Sequence, residues 1–476
     1  MQVISIMKTI KLLGLLFIST ACFSQSTREK LHTAFSIFEK DEQFKYASIG
    51  LLVINSNTGE IVFDKNAYLG FAPASTQKIV TSAAAYELLG KDFTYKTQFS
   101  YDGIITKDVF KGELVIKPSG DPSLGSWRWK QTSADSIFSR LSGALKQHNI
   151  KFINGRIELR NTSWESQATP NGWIWEDVGN YYGAGAYQLN WHENSYDLEL
   201  KPGSNVGDSV KILKTEPAIS VLTFVNELTT AKAGSGDNAV IYLPERGMIG
   251  FLRGTIPAGT DKFVIRGSLP MPEKTFVSAM ESGLMKSSIV MHAKTNPYLG
   301  TKSTGKPVVL KNEKPLYTNI SPTLDSLNYW FMKESINLYG EAFVKTIAQQ
   351  KNGFGSTADG LDIIRKFWNA RGIQSGELKI KDGSGLSPAN RLTPHALVEI
   401  LQYAAKQSWF SSFYNALPLQ NNIKMKSGYI GGVRSYAGYI KGKTGGAYTF
   451  SFIINNFDGS PSSVREKMWK LLDLMK

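Results

Sequence analysis

Residues 46–65, Y-A-S-I-G-L-L-V-I-N-S-N-T-G-E-I-V-F-D-K, hold an apolar run, a turn-forming N-S-N-T-G and a second apolar segment. That pattern predicts a β-hairpin. F-A-P-A-S-T-Q-K-I-V-T-S-A-A-A-Y-E-L-L-G follows, and it predicts a helix that starts near Pro73 and Ser75 and is capped by Gly90. Residues 321–346 read as two successive helices with Ser335-Ile336-Asn337 at their junction. Near the C-terminus, residues 433–441 (V-R-S-Y-A-G-Y-I-K) and 448–455 (Y-T-F-S-F-I-I-N) alternate as strands around G-K-T-G-G-A, and a last helix covers roughly 462–475. Between these ends lie strand patterns at Gly112–Lys117 and Gly155–Arg160 and a helical pattern near 132–147. The chain is α+β, and its 476 residues allow two or three domains.

Charge and composition narrow the class. A formal net charge of +14 suits an acidic partner such as cell-wall polymer or anionic lipid. Lys and Arg are scattered and no nucleic-acid motif is present, so nucleic acid is not expected as a partner. Met7-Lys8-Thr9-Ile10-Lys11 followed by L-L-G-L-L-F-I-S-T-A has the charge and length of an export leader, too short to span a bilayer. Residues 1–24 are therefore expected to be a signal peptide cut after Ser24, leaving an envelope or periplasmic protein with no transmembrane segment. Cys22, the single cysteine, offers lipid attachment as a second route, against which Ser19 stands where a branched aliphatic residue is usual. Cleavage after Ser24 leaves no cysteine and no disulfide. The five histidines (32, 148, 192, 292, 395) are far apart in the chain, so neither a metal nor a cofactor is expected.

Three short motifs carry chemistry. Ser75 and Lys78 lie one turn apart at a helix start. A serine hydroxyl becomes a nucleophile when a base takes its proton, and a lysine becomes that base when burial, a second cation or the positive helix end lowers its pKa. The plainer reading is a capping serine beside a solvated lysine. Ser303-Thr304-Gly305-Lys306 has the same spacing, but its Gly and the following Pro307 make it a turn. Ser335 and Asn337 place a hydroxyl and an amide two residues apart on a short connection, although both also favour helix ends as caps. K-[ST]-G occurs twice, as Lys426-Ser427-Gly428 and Lys443-Thr444-Gly445. The second copy sits in a glycine-rich hairpin loop. The first falls on a strand, where glycine permits close approach and a cation beside a hydroxyl can hold a carboxylate. Lys426-Ser427-Gly428 is the expected site motif.

The ordered set S-x-x-K, S-x-N, K-[ST]-G resembles the penicillin-binding-protein and serine β-lactamase superfamily. The wide gap between Ser75 and Ser335 is similar to that of the D-alanyl-D-alanine carboxypeptidase/endopeptidase family of low-molecular-mass, class C penicillin-binding proteins (peptidase family S13). So are Gly112-Glu113-Leu114 leading to Gly120-Asp121-Pro122-Ser123-Leu124, the stretch Gly172–Asp177, and Asp382-Gly383-Ser384-Gly385-Leu386-Ser387. The resemblance implies an antiparallel sheet flanked by helices plus an α-helical subdomain, with a large mixed α/β insertion. Residues 26–95 and 272–476 would form the peptidase domain and 96–271 the insertion, whose role the sequence leaves open.

It also implies roles. Ser75 would be the nucleophile, Lys78 its base and Ser335 the proton relay. Asn337 would hold the substrate amide, and Lys426 and Ser427 the terminal carboxylate. The strand through Gly428 would add the N–H of Tyr429 to that of Ser75 around the oxyanion. Substrates would be peptidoglycan stem peptides, with β-lactams as covalent inhibitors. Two positions depart from the family pattern: Ile336 stands where Asp or Asn is usual, and Tyr429 where a small hydroxyl residue is usual. The alternatives are a β-lactamase or esterase on the same fold, or a wall-binding relative without activity. No G-x-S-x-G elbow points to another hydrolase class.

Overall fold

The computed structural model describes residues 26–160, 163–296, 312–443 and 445–476. The expected leader, Cys22 and the Ser303–Lys306 turn lie outside these residues. The hairpin at 48–65 is present as strands Ser48–Asn55 and Ile61–Lys65. Its turn is closed by Asn55, whose Oδ1 accepts from the backbone of Asn57 and Thr58, and by Gly59 at φ 75°. Glycine takes that left-handed conformation without a Cβ clash.

The hairpin joins the C-terminal strands in one six-stranded antiparallel sheet. The order is Leu419–Gln420, Ile423–Ile430, Val433–Lys441, Ala447–Asn455, Ser48–Asn55, Ile61–Lys65. Both faces are covered, which is why Ile49–Ile54 reads as a continuous apolar run and is buried throughout. One face packs on the terminal helices Thr27–Phe38 and Pro461–Asp473 through residues such as Phe35, Phe38, Val464 and Met468. The other face packs on a helical body in which Ile79, Ala83, Phe331, Tyr339 and Leu397 share a core with Ala437 and Ile453 of the sheet.

The region between is a second structure with its own cores. Five strands run in the order Val290–Asn296, Phe152–Leu159, Val109–Lys117, Lys96–Thr106, Lys314–Ile320. Helices Ala134–Gln147 and Pro272–Lys286 cover them through Phe138, Leu141, Phe276 and Met280. Two small sheets, of three and four strands, add a further core around Tyr196, Leu198, Ile241 and Leu252. The expected domain boundary at 272 is therefore corrected. Helix Pro272–Lys286 and the strands at 290–296 and 314–320 belong to the inserted structure, and the chain returns to the helical body at Ser321.

Candidate active site

The segment expected to begin a helix at Ser75 is a 3-10 turn, Ala74–Gln77, that runs into the α-helix Lys78–Leu88. In a 3-10 turn side chains at i and i+3 eclipse, so Ser75 and Lys78 fall on one line. Lys78 Nζ lies 2.9 Å from Ser75 Oγ, and it also donates to Asn337 Oδ1 at 2.6 Å and to the Ser384 carbonyl at 2.8 Å. The lysine is fully buried. Burial lowers its pKa well below the ordinary value; the charge of Lys426 pushes the same way, opposed by Asp382 and Glu341.

Backbone strain flanks Ser75. Ala74 has φ 48° and Ser335 φ 58°, left-handed conformations that cost on the order of 1–3 kcal/mol each in a residue with a Cβ. At Ala74 the turn is pinned to the sheet: the Pro73 carbonyl accepts from Ser435 Oγ at 2.6 Å and from Thr76 Oγ1 at 2.7 Å. Gly428 makes that approach possible, because a Cβ there would stand 2.7 Å from Pro73 O and 2.8 Å from Ser75 N. The glycine thus makes room for the Ser75 turn, a closer neighbour than the ligand expected to need the space.

Helices Leu324–Lys333 and Asn337–Asn352 meet at the Ser335 turn, as the sequence pattern predicts. Ser335 Oγ accepts from Lys426 Nζ at 3.0 Å. Asn337 Nδ2 donates to the Tyr182 carbonyl at 2.7 Å and its Oδ1 accepts from Lys78 Nζ, an orientation both partners require. Each end of that amide retains a second hydrogen-bonding position. Lys426 is buried in the strand Ile423–Ile430, and burial takes its pKa down to about 7.

Ser75, Lys78 and Asn337 thus form one hydrogen-bonded group and Ser335 and Lys426 a second, with Lys426 near enough for its charge to act on Lys78. Ser427 accepts from Gln420 Nε2 at 3.0 Å and keeps its own O–H to give. The Tyr429 ring is half exposed at the cavity rim, 5.5 Å from the Arg434 guanidinium. Met425 N–H donates to Pro418 O on the side away from strand Val433–Lys441. Antiparallel strands alternate the direction of successive backbone groups, so the N–H of Tyr429 points to the same open edge. Lys443 is exposed in the hairpin loop between the last two strands.

Several participants carry no motif signature. The loop Asp382–Ser387 looked familiar in sequence, but no role could be read for it. It presents the Ser384 carbonyl to Lys78, and its Asp382 accepts five hydrogen bonds, from Gln77, Gly385, Asn390, Trp173 and Ser387. A cavity of about 930 Å³ opens over Ser75; the insertion supplies Arg128, Asp177, Tyr182, Glu193 and Arg266 to its wall.

Residues 32–474 match the model of the D-Ala-D-Ala carboxypeptidase 3 (S13) family. The chain belongs to that family. D-alanyl-D-alanine carboxypeptidase DacB of Haemophilus influenzae is 24% identical over 440 residues, covering 86% of each chain. The D-alanyl-D-alanine carboxypeptidase of Actinomadura sp. (strain R39) is 24% identical over 455 residues, 90% of this chain and 81% of that one. Penicillin binding protein 4 of H. influenzae has the same fold: TM-score 0.76 at 22% identity, over 94% of this chain and 98% of that one. This S13 protein is accordingly a hydrolase of the D-Ala-D-Ala carboxypeptidase kind, on a penicillin-binding-protein fold.

Proposed function

We propose that the protein cleaves D-alanyl-D-alanine ends of peptidoglycan stem peptides through an acyl-enzyme on Ser75. The observation that carries this is the 2.9 Å contact of the fully buried Lys78 amine with Ser75 Oγ. Neutral Lys78 takes the hydroxyl proton as Oγ attacks the carbonyl of the penultimate D-alanine. The oxyanion lies between the N–H of Ser75, in a first turn without an intrahelical acceptor, and the outward N–H of Tyr429. The proton passes from Lys78 through Ser335 to the leaving nitrogen, the C–N bond breaks, and D-alanine departs. Water then attacks the ester carbonyl and gives a proton to Lys78; the C–Oγ bond breaks, Lys78 passes that proton to Ser75 Oγ, and the shortened peptide leaves as its carboxylic acid. Lys426 holds the terminal carboxylate with the free O–H of Ser427, and Asn337 offers its second positions to the substrate amide.

The cavity also supports a second reading, cleavage of cross-links between stem peptides, since it is far larger than a dipeptide needs. β-Lactams would enter the same site and remain as esters of Ser75, in keeping with the penicillin-binding name of the structural relative. Export is part of the proposal. The leader-like start of the chain supports it, and among the described residues no helix is long and apolar enough to cross a membrane.

Mass spectrometry after brief exposure to benzylpenicillin tests the reading. A persistent adduct on the peptide containing Ser75, absent in Ser75→Ala, is expected. No adduct with the drug intact would point to a wall-binding protein, and no adduct with the drug consumed to a β-lactamase.

A further inference from the structure

Outside the turns that carry Ser75 and Ser335, the most strained stretch of the described backbone is His192-Glu193-Asn194, three successive residues at φ 54°, 52° and 46°. Such conformations persist where surroundings over-determine them. Here His192 N–H is held by the Leu124 carbonyl, and Asn194 is held through Gly185, Asn190 and Trp191. The kink aims one buried carboxylate out of the insertion toward the helical body. Glu193 Oε1 accepts from Ser126 Oγ, Arg128 Nε and Tyr339 OH, each at 2.8 Å, and Oε2 accepts from Arg128 Nη2 at 3.2 Å.

The partners lie on both sides of the Ser335 turn. Tyr339 is in the first turn of helix Asn337–Asn352. Arg128 gives its edge to Glu193 and its face to Trp330, 4.8 Å from the ring centroid, in the last turns of helix Leu324–Lys333. A guanidinium is planar, so it can bond in its plane and stack on its face together. One ion pair of the insertion therefore touches both helices whose junction carries Ser335, itself at φ 58°. Asn337 and Lys345 add further ties from the same helix to the insertion, at the carbonyls of Tyr182, Gln167 and Ala186.

We propose that the Arg128–Glu193 pair is a positioning device for the reaction: it braces the helices on either side of Ser335 and keeps that hydroxyl against Lys426. This rests on the reading of Ser335 as the proton relay. It gives the insertion a part in the reaction, beside the contact that Lys426 of the peptidase strand makes with Ser335.

The test compares Tyr339→Phe and Glu193→Gln, each alone and combined with Ser335→Ala. Tyr339→Phe removes one O–H and leaves the ion pair intact, so it stands even where Glu193→Gln folds poorly. The rates measured are acylation by benzylpenicillin and hydrolysis of a D-Ala-D-Ala peptide. Expected is a loss in kcat on the order of tenfold to a hundredfold with KM little changed. No further loss is expected in the Ser335→Ala background, since residues acting through one group are non-additive. A lowered melting temperature with wild-type kcat would make the pair merely structural. A raised KM with unchanged kcat would make it a substrate contact, and equal losses with and without Ser335 would break the link to that residue. If the wild type is not acylated at all, the parent reading fails instead. Amide hydrogen exchange over residues 333–340 then decides for the brace on its own: faster exchange in Tyr339→Phe supports it and unchanged exchange overturns it.

Discussion

Lys78 and Lys426 are two buried amines close enough for each to disfavour the charge of the other, and beneath them lie two buried carboxyl groups. The side chain of Asp382 accepts five hydrogen bonds. Glu341 has the Gly383 N–H at 2.8 Å, and burial, with Asp382 nearby, raises its pKa from 4.5 to about 8. At neutral pH Glu341 is then mostly a neutral acid. A carboxyl whose folded pKa is raised contributes stability below its unfolded pKa, and this is lost as pH rises through the folded value. Glutamine has the same shape and cannot ionise. Between pH 5 and pH 8, Glu341→Gln should therefore gain on the wild type by about 1–5 kcal/mol. Denaturant midpoints of both proteins at the two pH values measure this, and a constant difference would mean that Glu341 is already ionised at pH 5.

At the level of elements, the choice between the two K-[ST]-G copies is a choice between a strand left open beyond the short pairing with Leu419–Gln420 and a hairpin tip. Strand Ile423–Ile430 turns its Lys426 side chain to Ser335, its Gly428 to the Ser75 turn and its Tyr429 N–H to the open edge. Lys443 is exposed and remote from that chain of contacts. Lys426→Ala is expected to lower the penicillin acylation rate at least about a hundredfold, as losing a charge-assisted contact of about 3 kcal/mol would. Lys443→Ala should match the wild type; equal losses from both would overturn the assignment. The strand, the turn and the helix junction were legible because each has a local signature: alternation, a glycine turn, or a capped break in a helical pattern. The extent of the insertion was not. Strand Val290–Asn296 pairs in parallel with Phe152–Leu159 and Lys314–Ile320 pairs with Lys96–Thr106, partners far away in sequence, so no local pattern marks where the peptidase chain resumes. The carbonyls of Tyr182 and Ser384 were hidden for a different reason: every residue has one, and only the fold selects which of them meets a lysine.

For the whole molecule, the cavity is walled jointly by the peptidase residues and the insertion, and it is several times larger than the bond-breaking end of the substrate requires. Ser75, Ser335 and Asn337 line it from the peptidase part, and Arg128, Asp177, Asp197 and Arg266 from the insertion. A bare D-Ala-D-Ala derivative would reach the first group and leave the second solvated. A longer stem peptide would touch both. Contacts remote from the reacting bond raise the chemical rate when their binding energy orients the scissile carbonyl against the nucleophile and the oxyanion donors. The wall groups are charged, so these contacts weaken as salt screens them. Extending the peptide on the N-terminal side of D-Ala-D-Ala is thus expected to raise kcat/KM about tenfold or more, with part of the gain in kcat. That gain should shrink from low salt to about 0.5 M salt. Steady-state rates for a capped dipeptide and for a full stem peptide, each at two salt concentrations, provide the measurement. A ratio that stays near one would mean that the insertion wall does not engage the substrate, and would leave bracing of the Ser335 turn as its only part in the reaction.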